Sequence, residues 1–246
     1  MTMLPYIHVV VPFYGVFAVM GMIAAFLLFM YRSCILSLGV LKNIQIAASA
    51  AIGMLVGSRI LFVITMLPVI MKDFSFKQLF RIILGGGFVF YGGLFGAIGG
   101  LYLYGRVRTL NLHDLFQASV PCFPLFHAFG RIGCFMAGCC YGIPCTFGFA
   151  MAADPDVMRF PVQLVESLFC IVIFVMLLMA EIFFPGVKLL NVYLVSYAAV
   201  RFGLEFLRGD AVRGSFWHLS TSQWISLAII GFYLIRTAMY SKAEKE

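Results

Sequence analysis

Charge is what this sequence has least of. Of its 246 residues only 11% are Asp, Glu, Lys or Arg, with ten acidic residues against seventeen basic ones. A water-soluble domain carries roughly a quarter charged residues. This chain therefore has too little polar surface to face water on every side, and lipid must cover the rest. It also lacks a sequence repeat, a low-complexity tract and a long run of like charge, which excludes a repeat array. The net charge of +7 is spread as basic residues that punctuate apolar stretches. That pattern suits anionic lipid headgroups and excludes the single basic face of a nucleic-acid binder. No Lys or Arg precedes the first apolar run in Met1-Thr2-Met3-Leu4-Pro5, so the first span, not a cleaved leader, is expected to direct insertion.

What is present is apolar: 63% hydrophobic residues, 27 Phe and 14 Met, with a mean hydropathy of +1.04. A helix needs about 20 mainly apolar residues to cross a bilayer. By that measure the chain is an all-α integral membrane protein, residues 1–246 forming one membrane-embedded domain. About seven spans are expected, at residues 11–31, 44–70, 84–105, 113–136, 162–184, 189–207 and 219–240. The fourth is the weakest, since it holds Pro121, Pro124, His127 and Arg131; broken helices survive at membrane depth where they line a protein cavity.

Basic residues set orientation. Arg32, Lys42, Arg106, Arg108, Lys188, Arg236, Lys242 and Lys245 fall on one side. Lys72, Lys77, Arg81, Arg159, Arg208 and Arg213 fall on the other. The bias is slight and places the N-terminus outside and the C-terminus in the cytoplasm. The third span is glycine-rich, with Gly85-Gly86-Gly87, Gly92-Gly93, Gly96, Gly99 and Gly100. This reads either as close helix packing or as bare backbone that admits a lipid headgroup.

The informative residues are ionisable groups inside apolar stretches, each costing a few kcal/mol at membrane depth and each a functional-site candidate. They are Arg59, Arg131, Glu166, Arg201 and Glu205. Tyr197, Arg201, Glu205 and Arg208 recur at helical intervals and share a face, as do His127 and Arg131. One account is internal pairing, Arg201 with Glu205 and Arg59 or Arg131 with Glu166. The other starts from the surplus of three arginines over two carboxylates. A guanidinium fork holds a phosphate through two parallel hydrogen bonds, which suits an anionic lipid headgroup.

Five of the seven cysteines, Cys122, Cys134, Cys139, Cys140 and Cys145, lie within 122–145 with His127. Disulfides, a reactive thiol, a thiolate and His metal site, or plain packing all remain open. The spacings match no standard zinc pattern, so no metal is expected.

Together these pieces resemble the prolipoprotein diacylglyceryl transferase family. Its signature runs Gly-Arg-x-Gly-Asn-Phe-x-Asn-x-Glu-x-x-Gly; here the stretch is GRIGCFMAGCCYG, with Gly130, Arg131, Gly133, Phe135 and Gly142 matching. Phe13-Tyr14-Gly15, Gly57-Ser58-Arg59-Ile60, Gly92-Gly93-Leu94-Phe95-Gly96, Pro161 to Glu166, Tyr197 to Asp210 and Ser222 to Ser226 follow in the family's order. The chain departs from the pattern at Tyr91, where the family has a catalytic His, and at Cys134, Ala137 and Cys139, where it has Asn, Asn and Glu.

The resemblance implies a multi-pass enzyme of the bacterial cytoplasmic membrane. Its partners would be phosphatidylglycerol, the prolipoprotein signal peptide and the bilayer, with no cofactor. It would join a diacylglyceryl group to a lipobox cysteine thiol and release glycerol phosphate. The implied catalytic set is Arg131, Arg201, His127, Tyr91 and Glu205. A phenol of pKa about 10 is a poor base at neutral pH, so His127 is the better chemical candidate. Tyr14, Arg59, Gly92, Gly93, Gly130, Gly133, Cys134, Gln163, Glu166, Tyr197 and Arg208 would bind substrate. The departures leave two alternatives: a related lipid-group transferase with another acceptor, or a thiol-redox or metal-binding membrane protein built on the Cys122–Cys145 cluster.

Overall fold

The computed structural model describes residues 3–4, 7–10, 13–72, 89–151, 154–209, 215–217 and 219–243. The opening of the third expected span with its three glycines, together with Lys77, Arg81, Asp210, Arg213 and Lys245, lies outside the described residues.

The described chain is mostly helical. Eight α-helices run in order: α1 Phe13–Arg32, α2 Val40–Lys72, α3 Phe90–Val107, α4 Leu112–Ser119, α5 Cys122–Met136, α6 Val162–Phe183, α7 Leu189–Glu205 and α8 Thr221–Ala243. Among the described residues three stretches are long and apolar enough to cross a membrane: Phe13–Arg32, Val40–Leu67 and Val162–Phe183. Their outward side chains are the reverse of a soluble protein's. Val19, Met22, Ile23 and Leu27 on α1 and Leu168, Val172, Met179 and Ile182 on α6 are all exposed. An apolar surface this extensive is stable only against lipid.

One expectation is sharpened and one needs correction. The fourth span, the weakest in the sequence, is broken. It divides into α4 and α5 around Val120 and Pro121, because a proline has no amide hydrogen to continue the ladder. The chain is also not wholly helical. Three short antiparallel pairs occur, β1 Met3–Leu4 with β2 Ile7–Val10, β3 Pro144–Met151 with β4 Asp154–Arg159, and β5 Ser215–Phe216 with β6 Leu219–Ser220.

The chain forms two compact units, one of residues Phe29–Ser119, the other of Met1–Leu28 and Val120–Glu246. Within the first, α2 and α3 pack backbone to backbone. A Cβ on Gly57 would strike the Gly92 carbonyl, and one on Gly96 would strike the Gly53 carbonyl. Gly92, Gly96 and Gly100 thus serve close helix packing. Arg32 at the end of α1 is buried, and its guanidinium donates to the carbonyls of Gln117 (2.7 Å) and Ala118 (3.3 Å) at the end of α4. Asn43 donates to Ser33 Oγ at 2.8 Å.

In the second unit α5, α6 and α7 form the polar centre. Ser167 of α6 donates to the Ala128 carbonyl of α5 at 3.0 Å. Tyr193 stacks on Tyr197 one turn along α7 and meets Phe123 of α5. Gly133 of α5 lies against the backbone of Tyr14 on α1. Tyr233 of α8 donates to Asn191 Oδ1 of α7 at 3.0 Å. The start of α8 is held by a reciprocal cap: Gln223 N–H donates to Ser220 Oγ and Ser220 N–H to Gln223 Oε1.

Candidate functional site

Glu166 is the hub. It lies one turn into α6, 1% exposed, and groups from two other helices and from the segment after α7 converge on it. Arg131 of α5 pairs with its Oε2. Arg201 of α7 stands 3.6 Å from the same oxygen, and Arg208, just past the end of α7, stands 3.9 Å away. Tyr197 donates to Oε1 at 3.0 Å, and His127 Nε2 lies 3.6 Å from it. Helical spacing explains the assembly. His127 and Arg131 reach across from one face of α5, while Tyr197 and Arg201 do so from one face of α7.

The second carboxylate, Glu205, pairs with Arg201 one turn before it. Arg201 Nη2 also donates to Ser222 Oγ at 3.4 Å, which the capped start of α8 places there. Three guanidinium groups therefore share two carboxylates. Among the described residues Arg131 Nε and Arg201 Nη1 are buried without a hydrogen-bond acceptor. Arg201 Nη1 nevertheless faces Glu166 Oε2 at 3.6 Å, and a buried donor of a charged group left without an acceptor costs several kcal/mol.

The pairing left open by the sequence is resolved in favour of Arg131 with Glu166. Arg208 joins as the third guanidinium. Arg59, half-buried on α2, belongs to the other compact unit with Tyr91, Gly92 and Gly93. Tyr91 is buried there, its ring stacked on Phe95 at 6.0 Å.

His127 is buried edge-on to the Tyr197 ring at 5.2 Å. Its Nδ1 lies 3.4 Å from Cys170 Sγ while Nε2 faces Glu166. Both ring nitrogens thus face protein groups, which holds the imidazole in place. Gly130 and Gly133 flank Arg131 differently. A Cβ on Gly130 would meet open space, whereas one on Gly133 would press on Tyr14 and Phe17. Tyr14 itself is 45% exposed.

The helix α5 ends by a turn that the sequence did not disclose. Gly138 adopts φ +66°, its N–H bonding to the Phe135 carbonyl, and Cys139 N–H bonds to the Cys134 carbonyl at 3.1 Å. This crossed pair of bonds is the common glycine-terminated helix end. It folds the chain back so that Cys139 returns to the level of Cys134. Cys140 follows at φ +58°, a conformation that side chains other than glycine rarely adopt. The sulfurs of Cys134, Cys139 and Cys140 all lie within 4.8 Å of one another, and all seven cysteines stand as thiols. Cys140 is held well below the usual thiol range, first by hydrogen bonds from the thiols of Cys134 and Cys139 and further by Arg131 and Arg208.

The five-cysteine cluster of the sequence is therefore a cluster of three. Cys122 sits at the far end of α5, about 18 Å away at 1.5 Å per residue. Cys145 bonds instead to the Phe147 carbonyl on β3.

The returning chain is tied down on both sides. Gln163 of α6, fully buried, donates to the Cys139 carbonyl at 2.7 Å. Residues 141–143 pair with the segment after α7 through Gly209 N–H to the Tyr141 carbonyl and Ile143 N–H to the Leu207 carbonyl. Gly142 must be glycine, since a Cβ there would strike the carbonyls of Phe160 and Leu207. That pairing delivers Arg208 to the hub. The thiol cluster abuts the hub directly, with Arg131 Nη1 3.9 Å from Cys134 Sγ.

Comparison with known proteins gives a consistent result. A profile of the family described as prolipoprotein diacylglyceryl transferase matches residues 2–239. Phosphatidylglycerol–prolipoprotein diacylglyceryl transferase 2 of Clostridium perfringens is 35% identical over 241 residues, covering 95% of this chain and 93% of that protein. The transferase of Clostridium tetani is 31% identical over 244 residues, covering 93% and 94%. That of Methylococcus capsulatus is 30% identical over 201 residues, covering 77% and 74%.

Proposed function

We infer that this chain, which belongs to the prolipoprotein diacylglyceryl transferase family, moves a diacylglyceryl group from phosphatidylglycerol to the cysteine thiol of a prolipoprotein. Membership makes it a membrane-embedded transferase of lipoprotein biosynthesis. The observation that supports the substrate reading is the convergence of Arg131, Arg201 and Arg208 on one carboxylate, with buried guanidinium donors to spare.

In the proposed reaction Arg131 and Arg201 grip the lipid phosphate. The acceptor sulfur attacks the glyceryl carbon that bears the phosphate oxygen. The carbon–sulfur bond forms as the carbon–oxygen bond breaks, and glycerol phosphate leaves with the electron pair. Charge grows on that oxygen in the transition state, where fixed guanidinium groups in a dry site are most effective. Glu205 fixes Arg201, Glu166 fixes all three arginines, and Tyr197 and His127 fix Glu166. Gln163 holds the turn at Cys139. Tyr14, Gly130, Gly133 and Cys134 line the acceptor side.

About seven spans, with the N-terminus outside and the C-terminus in the cytoplasm, form one membrane domain in the bacterial inner membrane. This orientation puts the turn at 137–161 on the outer side, where a translocating signal peptide emerges. Incubation of the purified protein with labelled phosphatidylglycerol and a lipobox peptide tests the reaction. A diacylglyceryl mass gain on the peptide cysteine is expected; an unmodified peptide beside intact lipid overturns the proposal.

A further inference from the structure

We propose that Cys134, Cys139 and Cys140 form a three-thiolate site for a zinc-class divalent ion, whose open fourth position takes the acceptor thiol beside Arg131. The inference rests on the transferase reading for the identity of that thiol.

The geometry comes first. Sulfurs bound to one zinc at about 2.3 Å stand about 3.8 Å apart in a tetrahedron. The three sulfurs here already lie within 4.8 Å of one another, so a shift of under an ångström closes the site. The glycine turn at Gly138 brings Cys139 over Cys134, and the left-handed backbone of Cys140 turns its sulfur to the same point. Gln163 and the pairing of residues 141–143 hold the turn from outside. Three thiols on a braced turn are a donor set for soft and borderline-soft ions. Among the described residues three ligands meet here, and three protein ligands with a fourth position left open are the arrangement of catalytic zinc.

Charge comes second. Three thiolates around a divalent ion carry one net negative charge. Arg131, which bridges the hub and the thiols, faces that charge through Nη1 at 3.9 Å from Cys134 Sγ. A thiolate on the fourth position is thereby delivered beside the phosphate clamp.

Chemistry comes third. Transfer to a thiol needs the thiol's proton removed, and His127 has both ring nitrogens turned to Glu166 and Cys170. On the ion the step balances without a base. The acceptor thiol displaces metal-bound hydroxide, its proton leaving as part of a water molecule. The bound thiolate then attacks the glyceryl carbon, and the phosphate oxygen takes the electron pair of the broken carbon–oxygen bond. The thioether formed is a weak ligand and departs. No electron is gained or lost by the metal.

The test uses the whole detergent-purified protein, kept reduced, with zinc and then cobalt(II) as probes. Wild type and the control Cys34→Ser are expected to retain one zinc per chain after dialysis, while Cys139→Ser and Cys140→Ser lose it. Cobalt in wild type is expected to show the intense visible bands of a tetrahedral sulfur site, and these should shift when a lipobox peptide is added, but not when its cysteine is replaced by Ser. Stripping with a chelator should lower peptide lipidation by roughly 100-fold, the scale of a lost base, with recovery on adding zinc. Lipidation by a wild type that holds no metal overturns the site and leaves the transferase reading intact. So does a disulfide among the three cysteines in active protein. Bound metal whose spectrum ignores the peptide thiol overturns the acceptor role. Bound metal that responds to the thiol, without any lipidation, sustains the site and sinks the transferase reading instead.

Discussion

Tyr197 on α7 donates its phenolic hydrogen to Oε1 of Glu166 on α6 at 3.0 Å, while Arg131 occupies the other oxygen. A hydrogen bond to a buried charged group contributes about 1.5–3 kcal/mol. Tyr197→Phe keeps the ring that stacks on Tyr193 and meets His127 and removes the hydroxyl that makes that bond. Lipidation should fall by about 10- to 100-fold, since each 1.4 kcal/mol is a factor of ten. Unchanged lipidation would show that Glu166 does not need this support.

Removing the hub carboxylate is the harsher change. Glu166→Gln leaves Arg131, Arg201 and Arg208 facing one another across a buried space with Glu205 as the remaining acid. Breaking a buried pair by deleting one partner costs about 3–5 kcal/mol. Glu205→Gln leaves Arg201 still 3.6 Å from Glu166 and should cost less. Thermal unfolding in detergent should therefore rank wild type above Glu205→Gln and both above Glu166→Gln. The reverse order would mean that Glu166 is not the hub.

The clamp itself is tested by charge-conserving variants. Arg131→Lys and Arg201→Lys keep the positive charge but lose the planar fork. Each should lower lipidation by more than about 10-fold, with the loss in kcat because the contact strengthens as phosphate leaves. Wild-type rates in both would sink the phosphate role.

Much of this site was legible in the sequence, and the reason is local. The intervals His127 to Arg131 and Tyr197 to Arg201 to Glu205 are one helical turn each, so a shared face follows from the 3.6-residue period alone. What stayed hidden depends on contacts between helices. No spacing rule says that α5 and α7 both face Glu166, or that Arg208 supplies the third guanidinium. That requires the backbone pairing of residues 141–143 with 207–209. The thiol cluster was hidden for another reason. The sequence lists five nearby cysteines, but only the reversal at Gly138 decides which three meet. The glycine stripe was readable both as packing and as a headgroup path. The carbonyls of Gly53 and Gly57 against it favour packing.

That packing makes its own prediction. Gly57→Ala would put a methyl group into the Gly92 carbonyl and near Gly96 Cα. Both obstacles are backbone, so α2 and α3 must separate. Overpacking of this kind costs about 1–3 kcal/mol. Gly99→Ala on α3 meets nothing within 4 Å and should leave thermal stability in detergent almost unchanged. Equal effects of the two would show that the α2–α3 approach is not close.

His127→Gln separates support from catalysis. Glutamine can still donate toward Glu166 Oε1 from a similar position, but it cannot cycle a proton near neutral pH. If the imidazole only holds Glu166, the variant should lose less than about 10-fold in lipidation and keep the wild-type pH profile. If the imidazole is the base, the loss should reach the 10²–10⁴-fold typical of a removed proton acceptor, and the limb of the pH profile that reports the imidazole should vanish. The 3.4 Å and 3.6 Å contacts of its two nitrogens favour the first outcome. The thiol's proton then leaves by another route, and Cys134, Cys139 and Cys140 provide it one guanidinium away.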